Sequence, residues 1–279
     1  MTFSIVARSP DGQTWGVAVA SKFLAVGSVV PAAVAGIGAI ATQADANVAY
    51  KGLALAHMDD GATAGVALQR LLEQDEGREH RQVGIVDVEG GSATHTGRGC
   101  FDWAGGFTDT DVAIQGNILV GREVVDAMRE SWGFTDQEPD LARRLLQALL
   151  AGDEAGGDSR GRQSAALLAV REGAGYGGED DVAVDLRVDD HDAPCQELER
   201  LLDLNHLYLT ASTDAEKVLL NDDLQLEIDD RARKLGHPDF LAWVGTENFE
   251  MRVGKADPDQ QWVDEQVLQI LRSRTEGLR

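Results

Sequence analysis

The segment order predicts an α+β protein: a four-layer αββα sandwich over residues 1–205, then a small all-α domain over 206–279. Three observations predict it. Apolar β-type runs come in blocks separated by pairs of helices, whereas a doubly wound parallel sheet alternates single strands with single helices. The early strand runs are apolar almost throughout, as strands covered on both faces are. From about residue 193 the pattern is helical to the end.

Residues 2–8 (TFSIVAR) and 15–20 (WGVAVA) read as strands joined by the turn Ser9-Pro10-Asp11-Gly12. A second pair, 28–35 and 37–42, is split by Gly36 and built from small apolar residues that permit close packing. Residues 47–75 switch to helical periodicity, with Val66, Leu68, Leu71 and Leu72 near one face. Strand character returns at 82–88, 92–97 and 111–115. Two helices follow at 121–132 and 139–151, the second with Pro139 near its start, where proline is tolerated. Strands resume at 164–171 and 182–188 around the glycine-rich turn 173–178. Asp203–Thr213 reads as a junction, and 214–235, 238–244 and 259–274 as helices, with a break at Gly236-His237-Pro238. So small an appendage is expected to pack on a neighbour or on another subunit, and a homo-oligomer is expected.

Composition narrows the function classes. The net charge is −23, and five lysines and twenty arginines face 48 acids spread along the chain. A spread acidic surface poor in lysine reads as adaptation to high salt, where counter-ions screen self-repulsion. Nucleic acid is a poor partner, since nothing would neutralise its phosphates. No apolar run is long enough for a membrane span, and no basic segment precedes an apolar one as in a signal peptide, so a cytoplasmic protein is expected. Cys100 and Cys195 are too few and too far apart for a disulfide framework or a zinc knuckle. Asp189-Asp190-His191-Asp192 cannot converge on one ion, the remaining histidines have no ligand spacing, and no metal or cofactor is expected.

Thr2 is the leading candidate for chemistry. Removal of Met1 would leave one residue with a hydroxyl nucleophile and a free α-amine of pKa roughly 7.7–8.0, partly neutral near pH 7. Lys22, one of the five lysines, ends the second strand, where its charge would lower the pKa of a neighbouring amine or hydroxyl, or it caps the sheet in solvent. Asn117 ends a strand before a helix and carries the N–H donors an oxyanion hole needs. In Gly156–Ser164, Arg160 and Arg162 can form a fork for a substrate carboxylate, with Asp158 orienting one of them and Gln163 beside them. It is not a phosphate loop, because the Lys-Ser/Thr ending is missing. Gln43 and Asn47 follow as cleft-lining candidates.

Several stretches together resemble one family: MTFSIVA (1–7), GVAVASKFLAVGSVVP (16–31), GAIATQA (38–44), RQVGIV (81–86), HTGRGC (95–100), QGNIL (115–119) and GGDSRGRQSAALL (156–168). On these the chain resembles the DUF1028 family of Ntn-hydrolase-like proteins, and residues 235–271, with GTENFEMR (245–252), are similar to its peptidoglycan-binding-like C-terminal region. The resemblance implies an αββα sandwich whose first strand begins with the nucleophile, hence hydrolysis of a small or peptide-like amide by Thr2. Proteasome-like relatives carry an acid at the end of the second strand. Here Ser21 and Lys22 stand there, with no acid near them in sequence. A non-enzymatic protein that binds wall fragments or a protein partner is the alternative reading.

Overall fold

The computed structural model describes residues 2–257 and 260–278. Met1, whose removal would free the Thr2 amine, and residue 259, where the last predicted helix begins, lie outside them. The chain divides into two compact units, Met1–Leu202 and Asp203–Arg279.

The first unit opens with β1 (Thr2–Arg8) and β2 (Trp15–Ser21), then β3 (Pro31–Val34) and β4 (Gly38–Ala44). The predicted strand 28–35 is shorter than expected. Its first residue ends a 3-10 turn at Val26–Ser28, and Pro31, which has no N–H to give, starts the strand at the sheet edge. Helices α1 (Ala49–Asp59) and α2 (Ala64–Glu73) are separated at Gly61, and Thr63 caps α2 by accepting from Val66 N. Leu68 and Leu71 of α2 are buried, while Val66 points to solvent. Then come β5 (Arg81–Asp87), β6 (Ser92–Thr96), β7 (Gly105–Asp109) and β8 (Val112–Asn117). β7 goes beyond the strands expected from sequence, because two glycines and polar flanks hide it. Helices α3 (Glu123–Phe134) and α4 (Leu141–Glu154) precede β9 (Ser164–Val170), β10 (Val182–Val188) and α5 (Pro194–Leu209).

Two antiparallel sheets result, one ordered β10-β9-β2-β1-β8-β7 and the other β3-β4-β5-β6. Period-two alternation sorts their side chains into layers. Phe3, Ile5 and Ala7 of β1 join α3, α4 and α5 in one core. Ile40, Val83 and Ile85 join α1 and α2 in another. Between the sheets lie Val6, Val17, Val19, Ala39, Ala41, Val86 and Ala113. The order is therefore helices, sheet, sheet, helices: the αββα sandwich.

The second unit is helical, with α6 (Asp222–Lys234), α7 (Phe240–Glu247) and α8 (Glu265–Thr275) around a core that includes Trp243 and Phe249. It also holds a three-stranded sheet, ordered β11 (Lys217–Leu219), β13 (Gln260–Asp264) and β12 (Val253–Asp257). The segments 214–235 and 259–274 read from sequence as helices throughout, and the domain as all-α, but residues 217–219 and 260–264 are strand. Asn221 and Asp264, accepting from Leu224 N and Gln266 N, mark where α6 and α8 start. Arg252 and Asp264 pair at 2.9 Å, both buried, and Arg252 also donates to the Leu207 carbonyl. Among the described residues no helix is long and apolar enough to cross a membrane.

Candidate active site

Thr2 begins β1, an interior strand of the larger sheet, opposite Asn117 of β8. By alternation Thr2 and Ser4 face the other sheet with Val6. On β2, Ser21 shares that face with Val17 and Val19. The result is a hydroxyl pair, Thr2 Oγ1 and Ser21 Oγ, 3.2 Å apart and nearly buried.

Beneath Thr2 runs a fully buried polar network that joins the two sheets. Ser4 Oγ donates to Gln43 Oε1 at 2.7 Å and accepts from Gln115 Nε2 at 2.7 Å. Gln43 Nε2 donates to Gln82 Oε1 at 2.8 Å and to the Thr2 carbonyl at 3.2 Å. Asn117 Nδ2 donates to the same Gln82 Oε1 at 2.8 Å and reaches the Thr2 carbonyl at 3.5 Å. Gln82 Nε2 donates to Gly116 O at 2.7 Å and to Thr96 Oγ1 at 2.9 Å. Buried amides are tolerated only when bonded in this way, and losing one partner costs about 1–3 kcal/mol for each group stranded. Gly84 makes room for the network, since a Cβ there would stand 2.0 Å from Gln115 Oε1.

Asn117 is therefore a tie between sheets, with its N–H groups aimed at protein acceptors rather than left free as oxyanion donors. Gln43 lies under Thr2, within the sandwich. Asn47 lies elsewhere, beyond the end of β4, where it donates to Asp75 at 3.3 Å beside Tyr50 and Arg81. Arg81 holds the Asp75 carboxyl far below its usual range against the opposing effect of burial, and burial followed by Asp75 pushes the Tyr50 phenol up.

An acid of the glycine-rich loop reaches the backbone at the end of β2. Lys22 N donates to Asp158 Oδ2 at 2.7 Å. Asp158 also bridges Leu119, and Ser159 N donates to Ile118 O, so the loop crosses between the end of β2 and the continuation of β8. That is the line on which β1 begins. Asp158 is buried and pairs with Arg160 at 3.2 Å, whereas Arg162 pairs with the buried Asp153 at 2.7 Å. The two arginines are thus divided between two carboxylates and form no common fork; their predicted joint grip is corrected on this point. Gln163 points away, donating to Asp190 at 3.0 Å. Lys22 Nζ is exposed and donates to the Arg162 carbonyl at 3.1 Å, with no carboxylate partner among the described residues.

Both thiols are pushed up by burial, which makes them poor nucleophiles. Among the described residues no three His, Cys, Asp or Glu side chains gather as a metal site. Gln82, Gln115, Ser4 and Asp153 join the site without having been candidates from sequence. A signal for the first three exists: polar residues two apart, Thr2/Ser4 and Gln115/Asn117, and Gln82 two before Gly84, on strands otherwise apolar.

Comparison with known proteins agrees with this architecture. The model described as "Family of unknown function (DUF1028)" matches residues 2–198, and "Putative peptidoglycan binding domain" matches 208–271. Protein SPO2555 from Silicibacter pomeroyi, whose crystal structure is assigned to the same family, is 32% identical with a TM-score of 0.66, over 76% of this chain and 87% of its own. An Anbu (Gly-1) mutant from Hyphomicrobium sp. strain MC1 aligns over 73% of this chain and 94% of its own, at 8% identity and a TM-score of 0.35. None of the curated proteins matches. With the family model covering most of the chain, and with the sandwich and its motifs in place, this chain belongs to the DUF1028 family.

Proposed function

We propose that the first unit is an Ntn-type amidohydrolase acting through Thr2. The observation that carries this reading is the pairing of Thr2 Oγ1 with Ser21 Oγ at the start of an interior strand of the sandwich. Removal of what precedes Thr2 frees its α-amine. In its neutral form that amine takes the hydroxyl proton as Oγ1 attacks the amide carbonyl carbon, giving a tetrahedral intermediate. The same ammonium then protonates the leaving amine as the C–N bond breaks. The acyl group stays on Oγ1 until water releases it as a carboxylic acid. In this scheme Ser21 Oγ, 3.2 Å from Thr2 Oγ1, relays or donates a proton.

Two measurements test this. Intact mass of the purified full chain should show Thr2 as the first residue; retained Met1 sinks the mechanism. In a screen of amide substrates, Thr2→Ala should lower turnover by roughly 10³-fold or more, and an active Thr2→Ala variant removes Thr2 from the chemistry.

A second reading, a binding protein, is favoured by a cleft of about 570 Å³ in the second unit, lined by Gln225, Asp229, Phe240, Gln261 and Trp262 among others. Pockets of this size with an apolar floor and a few polar groups suit a small ligand. Binding of glycan or peptide wall fragments by the full chain, lost in Gln261→Ala and Trp262→Ala, would support it. Equal binding by those variants would remove the cleft from consideration.

A further inference from the structure

We infer that Gln82 is a positioning residue for Thr2, fixing the nucleophile-bearing end of β1 from the opposite sheet. Its catalytic consequence rests on the Thr2 reading above, while its structural content does not.

Gln82 sits on β5, in the smaller sheet, wholly buried. Its single carbonyl oxygen accepts two side-chain amides at 2.8 Å, one from Gln43 and one from Asn117. A side-chain carboxamide is planar but turns as a unit about its terminal torsion, so left to itself it can choose among acceptors. Held by Gln82, both point one N–H at this oxygen, and the same nitrogens lie 3.2 and 3.5 Å from the Thr2 carbonyl, with the Gln115 carbonyl a longer acceptor for Gln43 at 3.4 Å. Gln82 is in turn held by Gly116 O and Thr96 Oγ1. The Thr2 carbonyl is thereby gripped by side chains of β4 and β8, both oriented by one residue of β5. A first residue has no preceding peptide to anchor it, so its carbonyl is the natural handle by which to hold its hydroxyl in register with Ser21.

The test uses the full chain and a β-lactone that acylates an N-terminal hydroxyl nucleophile, with labelling followed by intact mass. A second readout is the ¹³C carbonyl shift of Thr2, which reports the donors on that oxygen whether or not any chemistry occurs. Gln82→Asn keeps the amide but loses reach, Gln82→Met keeps reach but loses polarity, and Gln82→Glu, measured at a pH where the buried carboxyl is protonated, keeps the reach, the acceptor and one O–H donor for Gly116 O. Folded Asn and Met variants should label roughly 10- to 100-fold more slowly, with the Thr2 carbonyl shift moved upfield. The Glu variant should recover most of both. If the Gln82→Met variant does not fold, the contrast between the Asn and Glu variants decides.

Wild-type labelling and an unmoved carbonyl shift in the Asn variant would overturn the inference, as would a Glu variant no better than Asn. If the wild-type chain itself fails to label, the Thr2 hydrolase reading falls. The carbonyl shift then decides alone: movement in the Asn variant supports the hold on Thr2, and no movement ends it.

Discussion

Replacing Asp158 by alanine should loosen the Thr2 end of the sandwich more than its place in a glycine-rich loop suggests. The side chain accepts from two backbone donors, Lys22 N at 2.7 Å and Arg160 N at 2.9 Å, and from the Arg160 guanidinium at 3.2 Å. Alanine strands both N–H groups in partly buried surroundings, at about 1–3 kcal/mol each if water cannot reach them. The Arg160 side chain is 45% exposed, so losing its ion pair adds about 0–1 kcal/mol. Because the Arg160 amide lies in an open loop where water can replace the carboxylate, the lower end applies to it. The sum is about 2–5 kcal/mol. For a unit of this size that is a fall of roughly 4–20 °C in Tm. Asp158→Asn keeps one acceptor and should lose about half as much. Calorimetry of the full chain measures the first-unit transition, and hydrogen exchange measures the Lys22 amide, which should lose protection in Asp158→Ala. A Tm within about 1 °C of wild type with Lys22 still protected would refute the argument, because it would mean the Asp158 bonds are replaced at no cost.

Two further predictions concern the second unit. Arg252→Met should cost about 3–5 kcal/mol, because it leaves the buried Asp264 carboxylate uncompensated. Adding Asp264→Asn, which removes the charge but keeps an acceptor for Gln266 N, should restore part of that, and the cycle is read from tryptophan fluorescence during urea unfolding; a single-variant loss below about 1 kcal/mol contradicts it. Glu227 is held down to about 2, first by Arg272 and with help from Arg231, from an ordinary 4.5. Its folded pKa is the lower one, so its contribution is complete above about 4.5 and is lost as pH falls toward 2. With Glu227 about one-third exposed, screening reduces that contribution to about 1–2 kcal/mol. Glu227→Gln should flatten this part of the second unit's pH–stability curve, and an unchanged slope between about pH 5 and 2.5 would count against the assignment.

The layers of the first unit are legible in the chain because burial on both sides of a strand writes itself as uninterrupted apolar sequence. Leu68 and Leu71 similarly announce a helix with one apolar face, although Val66, read on the same face, points to solvent. β7 is not legible, since Gly105-Gly106 carries no apolar signal, and its strand exists only because β8 offers it a pairing edge. β11 and β13 are hidden for another reason. Each is a short run abutting a strong helix, so periodicity over a longer window absorbs it into the helix.

The candidate site divides the same way. From the sequence, Thr2 opens an apolar strand next to a turn-linked partner, and a hydroxyl and a potential amine on one residue, together with the strand order and the family resemblance, make it the candidate nucleophile. The bond from the Lys22 amide to Asp158, 136 residues away, the separation of Arg160 from Arg162, and the amides of Gln43 and Asn117 meeting on Gln82 were decided only by tertiary structure. Hydrogen bonds between side chains of different strands depend on sheet order and register, and a linear chain records neither until its strands have found their neighbours.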